Sequence, residues 1–255
     1  MNENPDKLSF QTTESGPQGR IAGVLQWLGS HELPVLLVLF VILGALWGFA
    51  ELAEEVMEGD THEVDQALLL SMRNPADLSD PIGPGWVEEI GRDLTALGGN
   101  AILTLLTIAV VGYLLLDGKR RMAVVLLVAT LGALGVSTLL KSTIDRERPD
   151  LVPHHTRVYT ASFPSGHSML AASTFLTMGA LLARVQRRKR MKAYILLVAI
   201  TATLLVGLSR VYLGVHWPTD VLAGWTAGAA WALSCWLLAR WLQRRHEVES
   251  ETDTD

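Results

Sequence analysis

The sequence predicts an all-α integral membrane bundle of six transmembrane helices, with amphipathic helices in the first outer loop. Three observations carry that expectation. Of the residues, 49% are hydrophobic and only 18% charged, a balance typical of membrane chains. Six apolar stretches approach or reach the length of about 20 residues that a helix needs to cross a hydrocarbon core. Lys and Arg gather at alternate ends of those stretches, the asymmetry that orients spans in a bilayer.

The chain opens with a polar or interfacial segment, residues 1–32, rich in Asn, Asp, Thr, Gln and Gly. It has no apolar core near Met1, so no cleavable signal peptide is expected. The first span is placed at 33–52. A long loop follows in which Val64, Leu68, Leu69 and Met72 recur at helical spacing, as do Trp86, Ile90, Leu94 and Leu97. Asn74-Pro75 and the Pro81–Gly85 stretch break the chain between them. Two amphipathic helices lying on the outer membrane face fit this pattern, and so does a cap over the bundle.

The remaining spans are placed at 99–116, 122–140, 167–184, 193–210 and 218–239. The fourth is the most polar, with Ser168, Ser173, Thr174 and Thr177, and suits a helix enclosed by its neighbours. The sixth carries Gly224 and Gly228, a small-xxx-small spacing that permits close helix contact. Cys235 is the single cysteine, so no intramolecular disulfide is possible, and it reads as a small buried hydrophobe. The spanning domain thus covers 33–240, and the charged segment 241–255 is expected to be a disordered tail.

A formal charge of −5 conceals how the cations are distributed. Of 21 Lys and Arg, 12 lie in the second–third loop, the fourth–fifth loop and the C-terminal flank. Lys7 and Arg20 join them, so both termini are expected to be cytoplasmic. Seven lie in the opposite loops: Arg73, Arg92, Lys141, Arg146, Arg148, Arg157 and Arg210. This pattern speaks for a bilayer and against a nucleic-acid partner.

Three polar clusters fall on that outer side. The first runs from Lys141 to Pro149. Lys141 and Arg148 are seven residues apart, so on a helix continuing to about Arg148 they share a face and form a clamp for phosphate. The second, Phe163-Pro164-Ser165-Gly166-His167, opens the fourth span. A helix N-terminus favours an anion, Ser165 adds a hydroxyl, and Gly166 lets the backbone come close. His167 at its mouth suits proton transfer near neutral pH. The third joins the last two spans and holds Arg210, His216 and Asp220. Pro218 suits the first helical position, which puts Asp220 in the first turn and within reach of His216. A carboxylate on one imidazole nitrogen fixes the tautomer and frees the other to attack.

Taken singly, each cluster has a plainer explanation. Cations at span ends snorkel, and Pro-Ser-Gly-His caps helices. Together they place three cations, two histidines and an aspartate on one face, against the charge bias that orients the chain. His154 and His155 are adjacent in the third–fourth loop and are given no role.

These residues resemble the three-part signature of the type 2 phosphatidic acid phosphatase family. Lys141-x6-Arg148-Pro149, Pro164-Ser165-Gly166-His167 and Ser209-Arg210-x5-His216-x3-Asp220 match it in order over roughly residues 95–240. The resemblance implies hydrolysis of a lipid phosphate or diphosphate, such as phosphatidic acid, phosphatidylglycerol phosphate or undecaprenyl diphosphate, the last expected first. It implies catalysis by His216, His167 and Asp220 through a phosphohistidine. Lys141, Arg148, Ser165, Gly166 and Arg210 would bind the substrate phosphate. It implies no metal and no cofactor. A site facing the outer side of the membrane and a lipid partner delivered by lateral diffusion complete the expectation. The rival reading, a lipid transporter or non-catalytic binding protein, calls for charges deep within spans, and the spans are nearly free of them.

Overall fold

The computed structural model describes residues 33–150 and 161–252, with side chains described as far as Trp241. The expectations for residues 1–32, including Lys7 and Arg20, and those for His154, His155 and Arg157 lie outside the described residues. Two units divide the chain at Phe40, and the architecture below is that of the second, from Val41 onward.

The helices follow the apolar stretches closely. They are α1 (Leu33–Glu58), α2 (His62–Leu70), α3 (Gly85–Leu97), α4 (Asn100–Leu116), α5 (Arg120–Thr143), α6 (Gly166–Val185), α7 (Lys189–Tyr212) and α8 (Pro218–Thr252). One short antiparallel ribbon interrupts the helices: β1 (Arg73–Asn74) pairs with β2 (Asp77–Pro81). Among the described residues five helices are long and apolar enough to span a membrane, or six if α3 and α4, bent by 50° to one another, count as one span. The bend falls at Gly98-Gly99, where a Cβ on Gly98 would overlap Val206 of α7. Large apolar side chains such as Trp47, Leu105, Leu139 and Leu197 are exposed on the outer faces of the helices, as a lipid solvent allows.

Enclosure is uneven, and α6 is the most enclosed helix. Met169, Ala171, Ala172, Ser173 and Thr174 have no exposed surface. Its hydroxyls serve as interhelical glue, with Ser173 Oγ donating to the Ala129 carbonyl of α5 at 2.9 Å. Trp231 of α8 donates its indole N–H to the same carbonyl at 3.0 Å. Gly224 and Gly228 bring α8 against α6 as their spacing predicts. A Cβ at Gly228 would overlap the Met169 carbonyl and crowd Ala172.

One expectation is corrected. α5 stops at Thr143, and Ile144 is already extended at φ −123° and ψ 102°. Lys141 and Arg148 therefore do not share a helix face; Arg148 reaches inward from extended chain. Pro149 disfavours helix before it, and the segment instead pairs with the next loop, Ser162 N–H donating to the Arg146 carbonyl at 2.9 Å. At the other end, α8 is described as helix as far as Thr252. A formed helix propagates at one hydrogen bond per residue, and the Gln, Arg and Glu there are good helix formers.

The loop after α1 packs over the bundle through α2 and leads into the bent α3–α4 pair through α3. Within α2, Asp65 and Leu69 are fully buried while Val64 and Leu68 are exposed. Leu69 packs with Val211 and Val221, which flank the loop between α7 and α8. α3 is the first limb of the bent α3–α4 pair. Gly91 lets it approach the Tyr212 ring, and Arg73 of the ribbon donates to the Tyr212 carbonyl at 2.7 Å.

Helix contact at Gly228 is directly testable. Gly228→Val is expected to lower the melting temperature in detergent, since overpacking of this kind costs about 1–3 kcal/mol. Gly135 meets nothing within 4 Å, so Gly135→Ala is expected to leave the melting temperature unchanged or raise it slightly.

Candidate active site

The site forms where the C-terminal ends of α5 and α7 converge with the N-terminal ends of α6 and α8. A cleft of about 460 Å³ is lined by Lys141, Arg148, Gly166, His167, Arg210 and His216, with Asn100, Ser137 and Thr138 farther along it. No Asp or Glu is among its lining residues. Three cations face a common space with no carboxylate in its walls, and such a space favours a multiply charged anion.

Each cation is held in place by its own contacts. Lys141 Nζ donates to the Ala161 carbonyl at 2.7 Å, tying α5 to the segment that leads into α6. Arg148 donates to the Val215 carbonyl at 2.9 Å and lies 3.2 Å from His216 Nε2. Burial lowers the Arg148 pKa, with Asp220 opposing; a guanidinium remains charged regardless. Arg210, on the last turn of α7, donates to Thr95 of α3 at 3.0 Å. Its Nε has no hydrogen-bond partner.

His216 is almost fully buried and stands between two kinds of partner. Its Nδ1 lies 3.3 Å from Asp220 Oδ2 and 3.3 Å from Ser162 Oγ. Its Nε2 faces Arg148 and the cleft. The network thus assigns the proton to Nδ1 and the lone pair to Nε2. Burial lowers the His216 pKa well below the ordinary imidazole value, against the pull of Asp220. The ring is therefore neutral in the neutral range, the form that can attack an electrophile.

Asp220, in the first turn of α8, has no exposed surface. Oδ2 accepts from Ser162 Oγ at 2.5 Å and from the Trp217 N–H at 2.9 Å. Oδ1 accepts from Arg146 at 2.7 Å. Arg146 also donates to Asp65 of α2 at 2.6 Å and lies over the Trp217 ring. Asp65 accepts from the Thr219 N–H at 2.9 Å and from the Thr219 hydroxyl at 2.5 Å.

His216, Asp220, His167, Lys141, Arg148, Gly166 and Arg210 are thus brought together as the sequence predicts. Ser165 stands apart. It is the N-cap of α6, fully buried, and its Oγ accepts from the Ser168 hydroxyl at 3.0 Å. It is not among the residues lining the cleft. Ser162, Asp65, Arg146, Thr219 and Thr95 escaped the sequence reading. Arg146 stood among the outer cations, and Asp65 was an acid beside the apolar positions Leu68 and Leu69; those were the available signals.

The comparisons with known proteins agree with this picture. The family model for the PAP2 superfamily matches residues 122–244. Phosphatidylglycerophosphatase B of Bacillus subtilis strain 168 is 34% identical over 150 residues, covering 56% of this chain and 70% of the relative. Lipid A 1-phosphatase of Rhizobium etli is 31% identical over 180 residues, covering 60% and 73%. The crystal structure of a transmembrane PAP2-type phosphatidylglycerolphosphate phosphatase from Bacillus subtilis superposes with a TM-score of 0.68 at 26% identity. It covers 81% of this chain and 97% of that one.

The anion preference of the cleft can be measured without any turnover. Lys141→Met, Arg148→Met and Arg210→Met are each expected to weaken inorganic phosphate binding by about tenfold or more, since each removes a charge-assisted hydrogen bond. Calorimetry in detergent reads this directly. Unchanged affinity in all three would remove the cleft as the anion site.

Proposed function

The chain belongs to the PAP2 superfamily, and from that premise we propose that it hydrolyses a phosphomonoester on a membrane lipid through a phosphohistidine at His216. The observation that carries the reading is the orientation of His216. Its lone-pair nitrogen faces the cationic cleft, and its protonated nitrogen faces buried Asp220.

His216 Nε2 attacks phosphorus as the bond to the lipid oxygen breaks. Lys141, Arg148, Arg210 and the Gly166 N–H stabilise the charge on the equatorial oxygens, and Ser165 contributes by capping the helix that presents Gly166. His167, at the cleft wall, gives a proton to the leaving lipid oxygen. It then takes one from the water that attacks the phosphohistidine, releasing inorganic phosphate and restoring His216. Asp220 stabilises the imidazolium character that develops as the new bond forms. Positive charge in the cleft comes from side chains. Among the described residues, no group of three or more His, Cys, Asp or Glu is placed to hold a metal ion.

Phosphomonoesters are favoured over a diphosphate by the names of the two broad relatives, a phosphatidylglycerophosphatase and a lipid A 1-phosphatase. Undecaprenyl diphosphate is the comparison substrate. The distribution of Lys and Arg supports cytoplasmic termini and a cleft on the opposite side of the membrane. A lipid held in the outer leaflet then presents its head group to the cleft while its tails stay among other lipids.

Phosphate release from phosphatidylglycerol phosphate, phosphatidic acid and undecaprenyl diphosphate, assayed with purified protein in detergent, tests the reaction. Turnover is expected to survive EDTA, and His216→Ala is expected to lose it by a factor of about 10³ or more. Equal rates in His216→Ala would end the phosphohistidine reading, and loss with EDTA would end the metal-free one. For orientation, a reporter fused after Arg245 is expected to read cytoplasmic; the opposite signal would invert the topology.

A further inference from the structure

We propose that Asp65 and Arg146 are a positioning pair for the His216–Asp220 couple, which makes the outer-loop helix α2 a working part of the active site. The proposal rests on the phosphatase reading above, but Asp65 lies outside the three motifs, Arg146 stands at one of the unspecified positions between Lys141 and Arg148, and neither lines the cleft.

The geometry is that of one guanidinium bridging two buried carboxylates. Arg146 gives one terminal nitrogen to Asp220 Oδ1 at 2.7 Å and the other to Asp65 Oδ2 at 2.6 Å. Both carboxylates have no side-chain exposure, and the Arg146 side chain is only 12% exposed. A planar fork suits this bridge, and a point charge on a flexible stem does not. The Trp217 ring beneath the guanidinium, 5.6 Å from its centre, fixes the plane of the fork.

Asp65 makes a second connection. By accepting from the Thr219 N–H and hydroxyl, it caps the start of α8 from a different helix. α8 has Pro218 first, Thr219 second and Asp220 third. The cap therefore acts on the residue next to the one that orients His216. Asp65 thus fixes the backbone that carries Asp220, and Arg146 fixes the carboxylate's free oxygen. With Oδ1 held, Oδ2 is left to Ser162, the Trp217 N–H and His216. Neither Asp65 nor Arg146 lines the cleft, so both act on the direction of attack and leave phosphate affinity alone.

The test compares kcat, KM and inorganic phosphate binding in wild type, Asp65→Asn, Arg146→Met, Arg146→Lys and the Asp65→Asn/Arg146→Met double variant. A misdirected nucleophile is expected to lower kcat by about 10- to 100-fold. The KM for the lipid and the affinity for inorganic phosphate should stay within about twofold, because Lys141, Arg148 and Arg210 are untouched. The double variant should be no slower than Arg146→Met alone, because the two residues act through one carboxylate. Arg146→Lys should recover part of the lost kcat. Inorganic phosphate binding also serves as the check that a slow variant is folded. The pair is overturned if phosphate-binding variants keep wild-type kcat, if phosphate affinity falls along with kcat, or if the single losses multiply in the double variant. A wild-type chain without turnover on any lipid phosphate overturns the phosphatase reading together with the pair. Wild-type turnover matched by Arg146→Met overturns the pair alone.

Discussion

A carboxylate with no access to water sets the terms for this structure. Burying the Asp220 charge costs several kcal/mol unless every lone pair finds a donor. Donors come from four separate places: Ser162 ahead of α6, Arg146 after α5, the Trp217 backbone, and the His216 ring. Each must arrive in the right orientation, so satisfying one side chain fixes the relative placement of three chain segments. The short connection from α5 to Arg148 and the sharp start of α8 at Pro218 follow from the same demand.

The membrane imposes the opposite demand on the rest of the chain. In hydrocarbon, backbone groups must be satisfied within the helix, and apolar side chains gain nothing by leaving the outer faces. The helices consequently pack through small residues and a few hydroxyl or indole contacts, with Ala129 accepting from both Ser173 and Trp231. The cations that line the cleft collect at one set of helix ends, where protein walls and the interface replace lipid. Polar chemistry and apolar packing thus meet on α6, whose first residues line the cleft and whose next turns are sealed on every side.

Much of this was legible in the sequence. Span length and cation placement are local properties; α4, α5, α6 and α7 agree with the apolar stretches to within four residues, while α1 and α8 run on past theirs to Glu58 and Thr252. His216 and Asp220 sit one turn apart, so their pairing follows from a helix start at Pro218. Where the reading failed, it extended a local rule too far. It carried α5 on to Arg148, although the chain turns extended at Ile144, where pairing with the Ser162 segment takes over. The contact of the Ser165 hydroxyl with Ser168 was likewise not visible in the motif. Contacts such as Thr95 with Arg210, 115 residues apart, leave no periodic trace. A buried acid on an amphipathic helix, Asp65 beside Leu68 and Leu69, was the one visible hint of a long-range partner.

The reach of that acid has a consequence for biosynthesis. Asp65 and Thr219 are 154 positions apart in the chain. The ribosome delivers α2 and Arg146 long before the helix start they cap and bridge. Without the last helix Asp65 and Arg146 lack Thr219 and Asp220, and α2 keeps only its packing of Leu69 against Val211 of α7. The buried bridge is thus closed only when the first loop and the last helix are both in place.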